Sequence, residues 1–215
     1  MPAALHAQSP VACSHGNGSL RRGMKHSSLL AFSWCALLLA GCGNQTTALE
    51  ELLRNPLFAE RYAESIVDRL VELEIVKDPV LEDTAKKAYL DTERKKWLEV
   101  TRNARQIQRD GMEGNIISIG DFAKGDVLYV QGALYFGTLF EIDPLPSLHI
   151  YLTTIVDPRE VTFPDDTAMD LGPLQSAYGT QTYTVPTVDN PLLYRTVVLW
   201  DTEFERLHSF GQLSK

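Results

Sequence analysis

The hydrophobic period of this chain changes once, near residue 114, and that change limits the folds open to it. Before it, Leu57, Tyr62, Ile66, Leu70, Leu73 and Val76 recur at helical spacing, with charged residues between them. Asn55-Pro56 is a cap-and-proline pair that opens this helix, and Asp78-Pro79 repeats the signal and breaks it. A second helix is expected from about Pro79 to Arg109, on a weaker face that includes Leu81, Ala88, Trp97 and Ala104. Asp110-Gly111 and Glu113-Gly114-Asn115 mark the boundary. Beyond it come short β-type runs: Ile116–Ile119, Val127–Val130, Ala133–Phe136, Leu148–Leu152, Thr182–Val185 and Tyr194–Trp200. Gly125-Asp126, Asp143-Pro144, Gly172-Pro173 and Asp189-Asn190-Pro191 punctuate them. About seven or eight strands at this spacing indicate an antiparallel sandwich or barrel. The expected class is α+β, with a helical hairpin over 49–114 and a β domain over 115–215.

The N-terminal region carries a different signal. Met24 is the expected true start, followed by Lys25 and His26 and then the apolar run Leu29–Ala40. That run is short for a bilayer span and suits a signal-peptide core. It ends in Leu39-Ala40-Gly41-Cys42, which has the pattern of a bacterial lipobox. Residues 1–41 are therefore read as a signal region, Cys42 as the lipidated residue and 42–48 as a polar tether. Two or more acyl chains anchor stably where one does not. Gly43, rather than Asp, follows the cysteine and points to the outer membrane where the cell has one.

Charge and cysteine content exclude several classes. The formal net charge is −8, and Arg21, Arg22 and Lys25 are the basic residues ahead of Cys42. All 28 acidic residues lie beyond Ala48, so the part after Cys42 sets 17 basic side chains against 28 acidic ones, a balance of −11. Such a surface does not suit a nucleic-acid partner. The three cysteines are Cys13, Cys35 and Cys42, and the body of the protein holds only His149 and His208 as imidazoles. Disulfides and thiolate or multi-histidine metal centres are thereby excluded there. Asp165-Asp166 with Asp170 offers hard oxygens, without the spacing of an EF-hand loop.

From Gly120 to Leu213 the motifs, in order, resemble those of the DM-13 domain, a small extracellular or envelope domain often called an electron-transfer domain. The segments that carry the resemblance are Gly120-Asp121-Phe122, Gly132–Tyr135, Pro146–Leu152, Asp170–Gln175, Gly179–Pro186, Tyr194–Trp200 and Phe210–Leu213. The family pattern places a cysteine directly after the tryptophan, proposed as a redox thiol or haem ligand. Here that position is Asp201. A carboxylate cannot cycle between thiol and disulfide, and it is a poor axial ligand for electron-transfer haem. The resemblance implies the fold and leaves the redox role without its residue.

His149 lies in a strand, alternating with Leu148 and Ile150, and is read as an exposed or hydrogen-bonded histidine near any ligand that Trp200 would meet. Asp201 is read as a turn-forming residue at a strand end. The chain has no GxSxG, no HExxH and no phosphate-cradling glycine loop. No catalytic residue, no metal and no cofactor is expected. The leading expectation is a non-enzymatic envelope lipoprotein whose β domain binds a protein partner. The alternative is a redox accessory protein, with haem or copper as its conceivable cofactor. An unrecognised hydrolase is the third and weakest reading.

Overall fold

The computed structural model describes residues 48–215. The signal region, Cys42 and the tether up to residue 47 lie outside the described residues. Three helices come first: α1 (Ala48–Leu52), α2 (Pro56–Ile75) and α3 (Thr84–Asp110). The break at Asp78-Pro79 is a 3-10 turn over Pro79–Glu82, and Asp83 is the cap that starts α3, accepting from the amides of Ala85 and Lys86. The second helix therefore begins later than its proline suggests, because the proline opens the turn rather than the helix. Among the described residues no helix is long and apolar enough to cross a membrane.

Helices α2 and α3 form an antiparallel pair. Tyr62 sits between Phe58 and Trp97, with ring centroids 5.5 Å apart on both sides. Ala59, Ala63 and Ala104 are buried and leave room for that close packing. On the exposed face Arg94 reaches Glu74, and Arg105 bridges Glu60 and Glu64.

Ten strands follow: β1 (Met112–Ser118), β2 (Ala123–Lys124), β3 (Asp126–Val130), β4 (Ala133–Phe136), β5 (Glu141–Ile142), β6 (Leu148–Thr153), β7 (Met169–Pro173), β8 (Gln181–Thr184), β9 (Thr196–Asp201) and β10 (Arg206–Ser214). Eight of them make one antiparallel sheet in the order β7-β6-β9-β10-β1-β3-β4-β8, and β2 and β5 pair separately. The sheet curls until its two ends meet, so the β domain is a nearly closed barrel. The ends are bridged by side chains. Gln175 Nε2 donates to the Thr182 carbonyl, and Tyr183 donates to the Pro173 carbonyl. Gln181 Oε1 accepts from the amides of Gln175 and Ser176. Val127, Leu134, Phe136, Phe140, Ile150 and Leu199 fill the interior.

Two glycines meet steric demands. Gly132 has a positive φ of 74° beside Gln131 at 52°, which makes the two-residue turn between β3 and β4. Gly114 lies within β1, where a Cβ would come 2.2 Å from the Gln212 carbonyl oxygen of β10. Strand β1 thus starts at Met112, ahead of the Ile116 that the apolar pattern indicates.

Asn55 joins the helices to the barrel. Its Oδ1 caps α2 by accepting from the amides of Leu57 and Phe58, and its Nδ2 donates to the Phe136 carbonyl of β4 at 2.9 Å. The residue is 3% exposed. Asn55→Ala removes the cap and orphans a buried carbonyl, and is expected to cost about 2–4 kcal/mol in urea denaturation. Asn55→Ser, which restores the cap alone, should recover part of that loss.

Candidate functional site

Strand β9 alternates cleanly, and this decides what Trp200 and Asp201 can do. Val197 and Leu199 belong to the barrel core, while Val198 and Trp200 pack with Tyr151, Phe163 and Phe210 on the outer face. Asp201 therefore shares the inner face and Trp200 the outer one. Asp201 is fully buried. Its Oδ1 accepts from the amides of Glu203 and Phe204, at 3.0 and 2.8 Å, which fixes the turn between β9 and β10. The Thr202 backbone amide donates to the Ser147 carbonyl at 3.0 Å. Asp201 Oδ2 is buried and meets no hydrogen-bond partner among the described residues. The residue after the tryptophan is thus an internal turn anchor.

Outside, the segment from Thr154 to Ala168 folds back over the sheet between β6 and β7. It is held by a carboxylate-hydroxyl cluster. Asp165 accepts from Thr153 Oγ1 at 2.7 Å and from Thr167 through both its amide and its hydroxyl. Thr196 Oγ1 and Gln212 Nε2 both donate to the Val156 carbonyl, tying the segment to β9 and β10. Asp157 binds Arg159 with both oxygens, and the Arg159 guanidinium stacks 5.3 Å from the Phe210 ring.

The result is an open groove of about 830 Å³. Its floor is aromatic. Phe163 touches Tyr151 edge-on, with centroids 5.4 Å apart, and leans on Trp200 at 5.2 Å. Tyr151 and Phe163 are buried, so Trp200 presents the accessible aromatic surface. Val161 and Leu207 extend the apolar lining, and Arg159, Thr162, Thr202 and Glu205 supply the polar rim. A mostly apolar cleft with a few polar groups is the usual form of a binding site.

His149 stands opposite Trp200 in the β6–β9 register, on the same outer face. Its Nδ1 lies 2.9 Å from Asp170, and its ring is 6.4 Å from that of Tyr151. It does not line the groove. Burial first, and the Asp170 carboxylate second, raise the pKa of the Tyr151 hydroxyl, so it stays protonated. Two of the three aspartates that offer hard oxygens have other work: Asp165 in the threonine cluster, and Asp170 with His149 and the Gly172 amide. Among the described residues no group of three or more His, Cys, Asp or Glu is disposed to hold a metal ion.

Residues 120–213 match the family model described as Electron transfer DM13. The match covers a little under half of the 215-residue chain. It takes in the barrel from β2 through most of β10 and leaves out the helices and β1. The matched family is redox-related by its description, and that is as far as the match reaches. No curated protein and no solved structure matches the chain.

Two expectations follow from this geometry. Asp201→Ala should cost about 1–3 kcal/mol and speed amide exchange at Glu203 and Phe204, since each loses its acceptor. Asp201→Asn, which keeps an oxygen for the turn, should lose less.

The groove wall should also loosen in acid. Burial raises the Asp165 pKa, but hydrogen bonds from Thr167 and Thr153 together bring it below the ordinary value. Asp157 is lowered to about 2 by the Arg159 guanidinium and amide. A carboxylate depressed in the folded state contributes fully above its unfolded value, near 4, and loses that contribution as pH falls through the folded one. Trp200 fluorescence should therefore change between about pH 4 and pH 2. An unchanged spectrum down to pH 2 would contradict the role given to these carboxylates.

Proposed function

We propose that this chain is a lipid-anchored protein of the bacterial cell envelope, held through acylated Cys42, and that its barrel is a binding module. The anchor would sit in the outer membrane where the cell has one. The partner is another envelope protein, received in the groove beside Trp200, and the protein is not an enzyme and uses no cofactor.

The observation that carries this reading is the groove itself. A single accessible tryptophan on a rigid sheet face, backed by two buried aromatic rings, is a low-entropy anchor for a partner. The lipobox at Leu39–Cys42 supports the anchor. The acidic balance beyond Cys42 supports attachment by acyl chains rather than by a basic patch.

A second reading, redox accessory protein, draws on the DM13 match. Against it stands Asp201, a carboxylate occupied with a turn at the position where the family pattern has its cysteine.

Protein purified from native membranes distinguishes the two. The binding reading expects a colourless, metal-free protein unaltered by reductant, and a Soret band or bound copper would overturn it in favour of the redox reading. For the anchor, Cys42→Ser should move the protein to the soluble fraction. Labelled fatty acid retained on that variant would refute the lipidation site.

A further inference from the structure

The groove's charges are arranged unequally, and the inequality selects a partner. Arg159 is the cation lining it, and both oxygens of Asp157 already hold that guanidinium. Glu205 is the other ionic lining residue, and its carboxylate is exposed and makes no hydrogen bond or ion pair among the described residues. Its backbone has a positive φ of 49° in the turn that Asp201 anchors from beneath, so its place beside the groove is set by buried structure. Glu203 and Glu160 are exposed next to this rim, and the nearby Arg206 is paired away with Asp121. The uncompensated charge around the groove is therefore negative.

Trp200 lines the same groove; its indole makes no hydrogen bond among the described residues and its ring is the accessible part of the floor. A carboxylate beside an indole face is complementary to an organic cation: the carboxylate takes charge-assisted hydrogen bonds and the ring quadrupole attracts the charge. The flanking Val161 and Leu207 would receive the methylene stem and apolar neighbours of such a cation.

We infer that the groove receives a basic segment of a protein partner, an arginine or lysine side chain lying over Trp200 with its charge on Glu205. This rests on the reading of the barrel as a binding module. The acidic balance of −11 beyond Cys42 would draw a basic partner toward this surface over a distance set by the ionic strength.

The test uses the full-length protein labelled with 5-fluorotryptophan, so that Trp200 reports by its own fluorine resonance, assigned with Trp34→Phe and Trp97→Phe variants. Three acetylated tripeptide amides serve as probes: Leu-Arg-Leu, Leu-norleucine-Leu and Leu-Glu-Leu. The arginine peptide should shift the Trp200 resonance saturably and bind most tightly. Glu205→Gln should weaken it about threefold to tenfold, and raised salt should weaken it further. Glu205 is exposed, so this variant leaves the fold intact. Equal binding of all three peptides, or an unchanged arginine affinity in Glu205→Gln, overturns the inference while the groove remains a binding site. No shift with any peptide overturns both the inference and the groove reading on which it rests.

Discussion

The barrel depends on how its open seam is closed. A single antiparallel sheet of eight strands has two edges, and here those edges, β7 and β8, face each other without a backbone ladder between them. Unpaired strand edges invite association with other chains. Side chains occupy this seam instead. Gln181 accepts from two backbone amides and donates its own amide to the Ser176 carbonyl at 2.7 Å, so both ends of its side chain are engaged there. Tyr183, its pKa pushed up to about 12 by burial, remains a phenol and can donate to the Pro173 carbonyl. A glutamine and a tyrosine two residues apart on one strand lie on one face, which is why both point into the seam.

Closure in turn fixes the two faces of β9. Once the sheet curls, alternate residues must enter a dry interior or meet the outside. Trp200 and Asp201 are adjacent in sequence and separated by the thickness of the sheet wall. A cysteine at position 201 would point into the barrel, and Asp201 uses that same inward position to hold the turn carrying Glu205. Asp201 has a structural role, and that role reaches the outer groove through the turn.

Much of the architecture could be read from the sequence because its signals are local. The Asn55-Pro56 cap, the helical spacing of Leu57 to Val76 and the β-branched runs at 127–130 and 196–200 all lie where the corresponding elements form. Two strands of the eight-stranded sheet have no such signal. Strand β10, the longest at nine residues, contains His208, Gly211 and Gln212, and a bulge between Leu207 and Ser209 breaks its alternation. Strand β7 contains Gly172 and Pro173, which read as a turn and are tolerated because β7 is an edge. The groove was still less legible. Arg159 and Phe163 lie far from Glu205 along the chain and join it only when the sheet is folded. The one signal for them is the length of the segment from Thr154 to Ala168. Strands joined as neighbours need only a few residues, and a long connection between them tends to be functional.

The strand order also explains why the groove lies where it does. Helix α2 contacts β4, and α3 contacts β1 and β3, so the helical pair covers the half of the barrel formed by β1, β3 and β4. The groove lies on β6, β9 and their turn to β10, on the other side of the β10–β1 pairing. The two coverings do not compete for the same strands. The helices bury apolar surface that would otherwise be exposed, as with Leu128, which is fully buried although Val127 and Tyr129 beside it belong to the barrel interior. The remaining half keeps its outer aromatic residues under a segment that leaves Trp200 accessible. A partner would therefore find the groove open on this half of the barrel, with its charge fixed by a turn whose anchor lies inside the core.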